Sequence, residues 1–131
     1  VFGCLAQMVE WKNHAAFIEA AAQLRADQNC GRARFVIAGE EYKNGEYGRQ
    51  LREKVNALNL QHCFDFVSHQ KDNVDLMAGL DALVLPSREE PFGRVLIEAM
   101  AMQKPVVAYA NGGPLEIVTH EHDGLLVVPE E

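Results

Sequence analysis

A chain of 131 residues, 48% of them hydrophobic and 24% charged, has the size and composition of one globular domain with a real core, which excludes a disordered protein. Its formal net charge is -7, and no stretch gathers basic residues with interleaved aromatics, so we expect no nucleic-acid partner. No apolar run approaches the roughly 20 residues that span a bilayer, and membrane association is expected only through a domain outside this sequence.

The cysteines and histidines indicate neither a disulfide framework nor a metal site. Cys4, Cys30 and Cys63 are an odd number without a C-x-x-C spacing, and the histidines have no ligand spacing with them or with carboxylates. We expect a cytoplasmic protein without metal or cofactor. Because the chain opens at a Val inside an apolar run and stops abruptly after a strand-like segment, we interpret residues 1–131 as a single domain from a longer polypeptide.

In the first half of the chain, short apolar runs rich in β-branched residues alternate with amphipathic segments. This alternation is typical of a parallel sheet covered by helices. The predicted strands are Val1–Ala6, Ala33–Ala38 and Cys63–Val67, and the predicted helices are Ala15–Arg25 and Gly45–Leu58. Asn13 stands where its side chain is expected to cap the first helix.

The second half continues the same alternation. It predicts in turn a helix, a central buried strand, a helix, a strand, a helix and a strand: Val74–Ala78, Ala82–Leu85, Gly93–Met102, Val106–Ala108, Pro114–Val118 and Leu125–Val128. About six parallel strands with intervening helices predict an α/β fold, a Rossmann-like doubly wound sheet, whose ligands bind beyond the carboxyl ends of the strands. Those ends carry Gln7, Gly39, Val67 and the segments 87–93 and 111–114.

A polar turn after the central strand opens into the helix predicted from Gly93. The first N–H groups of a helix have no partner within it, and its dipole favours an anion there. The amides of Gly93, Arg94 and Val95 are therefore predicted to form a phosphate site. Glu90 stands just outside this site, beside the expected ligand.

Glu98 is the only charged residue between Val95 and Met102 in a helical run that otherwise resembles a buried core helix. Burial of a lone carboxylate is unfavourable unless hydrogen-bond donors satisfy it. The vicinal hydroxyls of a ribose would supply two donors, and so would nearby groups of the protein. The alternative is a carboxylate at the rim of the helix that water solvates.

A phosphate-binding site in an acidic protein also needs a cation. Lys12 follows the first strand and would reach a diphosphate at the same edge of the sheet, although a lone lysine in a loop is usually only solvated. Arg88 and Arg94 are rival candidates for the same role.

The glycines Gly112 and Gly113 form a turn before the helix predicted at Pro114. Two interpretations stay open: the glycines permit close approach of a ligand to the backbone, or they form a simple strand-to-helix turn. The chain has no G-x-G-x-x-G motif after a strand, no P-loop and no G-x-S-x-G elbow. A conventional NAD site, a P-loop site and a serine hydrolase are therefore not supported.

Several ordered motifs closely resemble the group 1 (family 4) retaining glycosyltransferases of the GT-B type, over nearly the whole chain. They are Pro86-Ser87, Glu90-Pro91-Phe92-Gly93, Glu98-Ala99-Met100-Ala101, Pro105-Val106-Val107-Ala108 and Gly112-Gly113-Pro114-Leu115-Glu116. The resemblance implies the C-terminal, donor-binding half of a GT-B fold. It also implies retaining, metal-independent transfer of a sugar from a nucleoside diphosphate donor to an acceptor hydroxyl, with an N-terminal acceptor-binding domain outside this sequence.

The resemblance assigns roles to individual residues. In the E-x7-E motif, Glu90 would contact hydroxyls of the donor sugar and Glu98 would bind the ribose. Lys12 matches the lysine that binds the diphosphate, so that Lys12 and Glu90 are the expected catalytic residues. Backbone amides from Phe92 to Val95 would hold sugar or phosphate, and residues near Val67 would line the pocket for the base.

One departure from the family pattern bears on activity. Gln7 stands where the family has an Arg a few residues before the lysine, so one positive charge at the diphosphate is missing. The alternatives to a transferase are therefore a non-catalytic sugar-nucleotide-binding module, which this substitution favours, and a GT-B-type nucleotide-sugar epimerase.

Overall fold

The computed structural model describes residues 1–27 and 30–129, and all six of its strands lie in one parallel sheet. The strands are β1 (Phe2–Leu5), β2 (Phe35–Gly39), β3 (Phe64–Ser68), β4 (Ala82–Leu85), β5 (Val106–Tyr109) and β6 (Leu125–Val127). The helices are α1 (His14–Ala26), α2 (Glu46–Ala57), α3 (Val74–Ala78), α4 (Arg94–Ala101) and α5 (Pro114–Ile117), with short 3-10 turns at Glu10–Lys12 and Lys43–Gly45. The predicted order of elements is confirmed, with boundaries that differ by at most two residues.

The strand order β3-β2-β1-β4-β5-β6 means that the chain winds outward twice from the centre of the sheet. It runs from β1 through β2 to β3 on one side, then returns to β4 beside β1 and continues to β6 on the other. The winding direction therefore reverses between β1 and β4, and the loops after these two strands separate there. In sheets of this type that opening is the usual place for a ligand.

Each face of the sheet carries its own hydrophobic cluster, because successive strand residues point to opposite faces. One cluster joins Cys4, Phe35 and Ile37 of the strands to Phe17 and Ile18 of α1 and Leu51 and Val55 of α2. The other joins Leu5, Val36 and Ala38 to Met77 of α3 and Leu96 and Ala99 of α4. Two covered faces explain why the strands are continuous apolar runs rather than alternating ones.

The predicted cap of α1 is wrong in its chemistry although right in its position. Asn13 is the residue before α1, but it adopts a left-handed conformation with φ 56° and its side chain makes no capping hydrogen bond. Its carbonyl oxygen instead accepts the N–H of Ala16 at 3.0 Å.

Among the helices of residues 1–27 and 30–129, none is long and apolar enough to cross a membrane.

Candidate functional site

A groove lies where the winding direction of the chain reverses, between the loop after β1 and the loop that leads from β4 into α4. Its central part encloses about 380 Å³ and is lined by Leu5, Ala6, Gln7, Lys12, Asn73, Glu90, Phe92, Gly93, Arg94, Val95 and Glu98. It continues past Asn73 into a hollow of about 420 Å³ that includes His69, Gln70, Arg94 and Glu98. Most of the residues predicted from the sequence therefore share one groove.

The carboxylate of Glu90 is held from two sides. Lys12 Nζ donates to Glu90 Oε2 at 2.5 Å, across 78 positions of sequence, and the Gly93 N–H donates to Glu90 Oε1 at 3.1 Å. The side chains of Lys12 and Glu90 are only 15% and 8% exposed. Glu90 thus joins the loop after β1 to the N-terminus of α4.

The same contacts keep Glu90 ionised. Burial acts to raise the pKa of this carboxyl, but the hydrogen bond and the charge of Lys12, together with the Gly93 N–H, outweigh burial and hold the pKa below its usual value. A negative charge beside the start of a helix is also favoured by the helix dipole. At neutral pH the groove therefore contains a fixed carboxylate rather than a carboxylic acid.

The predicted phosphate site at the start of α4 needs one correction. The Gly93 N–H is not free, because Glu90 Oε1 already accepts it. The N–H groups of Arg94 and Val95 open the helix and, within the part of the chain that the structure describes, have no acceptor. The donors available to an anion are therefore those of Arg94 and Val95.

The turn at Gly112 and Gly113 packs against the protein's own backbone. A Cβ atom at Gly112, which has φ +48°, would lie 2.2 Å from Glu90 O, and one at Gly113 would lie 2.3 Å from Phe92 O. The Gly113 N–H donates to Glu90 O at 2.8 Å. Of the two interpretations left open by the sequence, the structure shows the turn between β5 and α5, and it adds that the glycines permit close approach of the Glu90 loop; approach of a ligand stays a prediction.

Asn111 completes this contact. Its Oδ1 accepts the Glu90 N–H at 3.2 Å, and its Nδ2 donates to Ser87 O at 2.8 Å. On the other side of the loop, the Arg88 N–H donates to Trp11 O at 2.9 Å. The loop from Ser87 to Phe92 is therefore fixed to both neighbouring segments.

Glu98 differs from the prediction that placed it in a buried helix. It is exposed on α4, and its carboxylate makes no hydrogen bond or ion pair with any residue in 1–27 or 30–129. The argument from a buried lone charge was wrong, because α4 buries only Leu96 and Ala99 and turns Glu98 toward the groove. The assignment of a ribose contact to Glu98 stays a prediction.

The remaining predicted residues fall into two groups. Gln7 is exposed and lines the groove, and Gly39 lines a second neighbouring hollow of about 370 Å³, where a Cβ atom on Gly39 would come within 1.9 Å of Ala6 O. Val67 itself packs against the core, whereas His69, two residues further on, lines the hollow near Glu98. Gly39 therefore packs closely against the loop after β1, and the base pocket expected from residues near Val67 stays a prediction, with His69 as the neighbouring residue that lines a hollow.

The rival cations are less well placed than Lys12. Arg88 and Arg94 are exposed, and neither side chain forms an ion pair with a described residue. Arg94 lines the groove, but Arg88 lines a separate cavity near the carboxyl end of β6. Lys12 is thus the cation that the fold holds in place, with Arg94 as an exposed neighbour in the groove.

Two features escaped the sequence analysis, one that lines the groove and one that is buried. Asn73, before α3, lines the groove and both hollows beside it, but an asparagine before a helix is indistinguishable from a cap in the sequence. His14 is fully buried at the start of α1. Burial lowers the pKa of His14 to about 4, helped by the charge of Lys12 and opposed by a hydrogen bond with the Ala6 backbone. No group of three or more His, Cys, Asp or Glu within 1–27 and 30–129 is arranged to hold a metal ion.

A doubly wound parallel sheet with a groove where its winding reverses, lined by the start of a helix and here by the partly buried Lys12, is the architecture of Rossmann-like nucleotide-binding domains. The family described as Glycosyl transferases group 1 matches residues 1–131. The chain therefore belongs to the group 1 glycosyl transferases, and its sheet and flanking helices match those of GT-B glycosyltransferase structures.

Relatives of known name agree with this assignment. The chain is 31% identical over 128 residues to human alpha-1,3/1,6-mannosyltransferase ALG2, covering 91% of this chain and 31% of the relative. It is 32% identical over 128 residues to 2-deoxystreptamine N-acetyl-D-glucosaminyltransferase of Niallia circulans, covering 95% and 31%. The chain thus spans about a third of the length of these curated relatives.

Solved structures are similar over almost the whole chain. Anabaena Alr3699/HepE in complex with UDP-glucose superposes with a TM-score of 0.90 at 32% identity, covering 99% of this chain and 35% of that one. The C-terminal domain of the group 1 protein LpcC from Francisella tularensis superposes with a TM-score of 0.84 at 27% identity, covering 98% and 67%.

Proposed function

We propose that this chain binds the donor of a hexose-transferring glycosyltransferase, a nucleoside diphosphate sugar, in the groove between β1 and β4. The observation that carries the proposal is the position of Lys12, whose ammonium is held beside the N-terminus of α4 by Glu90. The complex of Alr3699/HepE with UDP-glucose supports a nucleotide sugar as the ligand class.

The diphosphate would lie between Lys12 and the free amides of Arg94 and Val95. A lysine ammonium has three N–H donors, of which Glu90 takes one, so the others remain for phosphate oxygens. When the bond between sugar and diphosphate breaks, negative charge develops on the departing phosphate. Preformed donors and the helix dipole stabilise that charge without rearrangement, which is an electrostatic contribution to catalysis.

Glu90 would orient the donor sugar while it holds Lys12. An ionised carboxylate accepts more than one hydrogen bond at each oxygen, so both oxygens retain capacity for sugar hydroxyls after their contacts with Lys12 and Gly93. The low pKa of Glu90 keeps it an acceptor and not an acid. Retention of configuration and independence from metal are part of the proposal, with Lys12 in the charge-neutralising role.

Transfer requires parts that this chain does not supply by itself. No residue of the groove is placed as an acid or base for an acceptor hydroxyl, and the curated relatives are about three times as long as this chain. We therefore assign the acceptor-binding domain to another part of a longer protein, and the isolated chain is expected to bind donor with little or no turnover. A cytoplasmic location belongs to the same proposal.

One observation favours a second function, that of a non-catalytic sugar-nucleotide-binding module. Gln7 lies exposed in the groove where the resemblance implies an Arg, so one cation that would neutralise the leaving group is absent. Binding of the nucleotide is common to both functions. It is therefore the first property to measure.

Calorimetric titration of the chain with uridine, guanosine and adenosine diphosphates tests the proposal. We expect one of them to bind, and Glu98→Ala to weaken it by roughly 30-fold, or about 2 kcal/mol, through loss of charge-assisted hydrogen bonds from ribose. Glu116→Ala removes an exposed carboxylate outside the groove and serves as the matched control. Absence of binding by all three nucleotides, or equal affinity in wild type and Glu98→Ala, would refute the assigned site.

A further inference from the structure

Four charged side chains line the central part of the groove, those of Lys12, Glu90, Arg94 and Glu98. Two of them offset each other, because Lys12 Nζ lies 2.5 Å from Glu90 Oε2 and both side chains are largely buried. The other two form no ion pair with a residue in 1–27 or 30–129. Among the described residues that line this part, Arg94 is therefore the cation whose charge no contact offsets.

The position of Arg94 in α4 is unfavourable for a cation. Arg94 is the first residue of the helix, and the first turn contains no acidic residue. The helix dipole places positive charge at this end and so disfavours a second positive charge there. Glu98 lies one turn further on, but an arginine that precedes a glutamate by four residues is the weaker order for such a pair, and no ion pair forms between these two described residues. The contacts within the folded chain thus give no reason for a cation at this position, which is expected of a residue that serves a ligand.

Arg94 also lies between the two glutamates along the groove. The central part includes all three residues, whereas the hollow of about 420 Å³ includes Arg94 and Glu98 without Glu90. Glu90 is bound to the Gly93 N–H at the start of α4, and Glu98 is four residues, or about 6 Å of helix axis, beyond Arg94. A donor with its sugar at Glu90 and its ribose at Glu98 therefore has its diphosphate beside Arg94.

The diphosphate of a nucleotide sugar is a dianion, and Lys12 offsets its charge only in part because Glu90 shares the same ammonium. An arginine presents five N–H donors in a planar fork that matches the oxygens of a phosphate. We propose that the side chain of Arg94 is the second cation that binds the diphosphate of the donor. This inference rests on the proposed donor function.

Gln7 gives the proposal a further consequence. It is exposed, lines the same central part as Arg94 and Lys12, and is neutral where the resemblance implies an Arg. With Arg94 as the second cation, the charge that the loop after β1 lacks comes from α4 instead. A positive charge at position 7 would then replace the charge of Arg94.

Calorimetric titration with uridine, guanosine and adenosine diphosphates tests the role of Arg94. We expect Arg94→Gln to weaken the nucleotide that binds roughly tenfold, and to make its affinity less sensitive to sodium chloride. The urea midpoint of Arg94→Gln should stay unchanged or rise, because a cation leaves the positive end of a helix. Arg88→Gln is the matched control, since Arg88 is also exposed and without an ion pair to a described residue but lines a separate cavity.

The double variant Gln7→Arg with Arg94→Gln keeps the net charge of the wild type and should recover most of the lost affinity. Equal affinity of wild type and Arg94→Gln, or an equal loss in Arg88→Gln, overturns the proposal. A loss that comes with a lower urea midpoint assigns Arg94 to the fold and overturns it as well. A loss that Gln7→Arg leaves unrecovered contradicts the replacement of one charge by the other. If none of the three diphosphates binds the wild type, the donor function itself is refuted and this inference with it, whereas binding that is indifferent to Arg94 refutes the inference alone.

Discussion

The two glutamates of the groove, one in the loop before α4 and one on α4, differ in how far the protein has prepared them for a ligand, and the parts of the groove around them are called here the Glu90 side and the Glu98 side. Glu90 is buried, paired with Lys12 and fixed through its backbone to Asn111 and Gly113. Glu98 is exposed on α4 and has no partner among the residues that the structure describes. The contacts of Glu90 are therefore already formed in the folded protein, whereas Glu98 is expected to gain its contacts only from a ligand.

This difference separates stability from binding. A change on the Glu90 side is expected to alter the free energy of unfolding as well as ligand affinity, because the same contacts serve both. A change on the Glu98 side is expected to alter affinity alone. The following predictions test that separation, beginning with the largest expected effect.

Substitution Gly113→Ala should damage the Glu90 side most. Its Cβ would lie 2.3 Å from Phe92 O, so the loop must move away from the turn. We expect a loss of about 3 kcal/mol in the free energy of unfolding, measured by urea denaturation, and a parallel loss of nucleotide affinity. Gly79→Ala is the control, because its nearest contact would be an ordinary 3.5 Å to Leu76 O. Equal stability of the two variants would contradict the packing described for the turn.

Acidification should lower the stability of the whole domain through His14. Its pKa in the folded protein is about 4, against 6.5 for an ordinary histidine, because burial disfavours the charged form. Between these two values the unfolded chain binds more protons than the folded one, so stability falls as pH falls. We expect a loss of about 2 kcal/mol between pH 7 and pH 5, measured by urea denaturation at each pH.

The variant His14→Phe is the matched control for this pH dependence, since it keeps an aromatic ring at the start of α1 and removes the titrating group. Its stability should be flatter between pH 7 and pH 5. Glu90 affects the pH dependence of stability only at lower pH. Its pKa is depressed, so its stabilising contribution is lost only as pH falls through that depressed value. An unchanged slope in His14→Phe would rule out His14 as the cause.

Removal of single charges should give the smallest effects and the clearest contrast. Lys12→Met leaves the Glu90 carboxylate partly buried without its cation, and we expect a loss of about 1.5 kcal/mol in the free energy of unfolding. Glu98→Gln should change that free energy by less than about 0.5 kcal/mol, because its side chain is exposed and unpaired.

The double variant Lys12→Met with Glu90→Gln is the control for this contrast. It removes the unpaired charge together with its partner, so it should recover part of the stability lost in Lys12→Met while nucleotide affinity stays low. Urea denaturation and calorimetry measure the two quantities on the same samples. A loss of stability in Glu98→Gln as large as that in Lys12→Met would remove the distinction between the two sides.

The fold was predictable because it depends on patterns that are local in sequence. Each apolar run of three to six residues between helical segments became a strand, and Pro86 directly follows β4 while Pro105 directly precedes β5. The position of the groove followed from the parallel topology, which brings the carboxyl ends of all strands to one edge. The resemblance of the ordered motifs then supplied the family, which the match over residues 1–131 confirmed.

The interior of the groove was not predictable, because it depends on contacts between distant residues. Lys12 and Glu90 are 78 positions apart, and nothing in either segment indicates that they pair. The exposure of Glu98 was misjudged for a similar reason: a short helix with several apolar residues is buried on one stripe only, and the sequence does not say which residues lie beside an open groove. The contacts of Asn111 with Ser87 and Glu90 could not be predicted from the sequence either.

The turn at Asn111–Gly113 has a thermodynamic consequence for any ligand of the groove. A mobile loop loses about 1–2 kcal/mol of backbone entropy for each residue that a ligand orders. The loop from Ser87 to Phe92 has already lost that freedom on folding, since Asn111 and Gly113 hold its backbone. Ligand association at this end of the groove therefore proceeds with little ordering of the main chain, and the entropy lost on binding falls mainly on side chains such as Arg94 and Glu98.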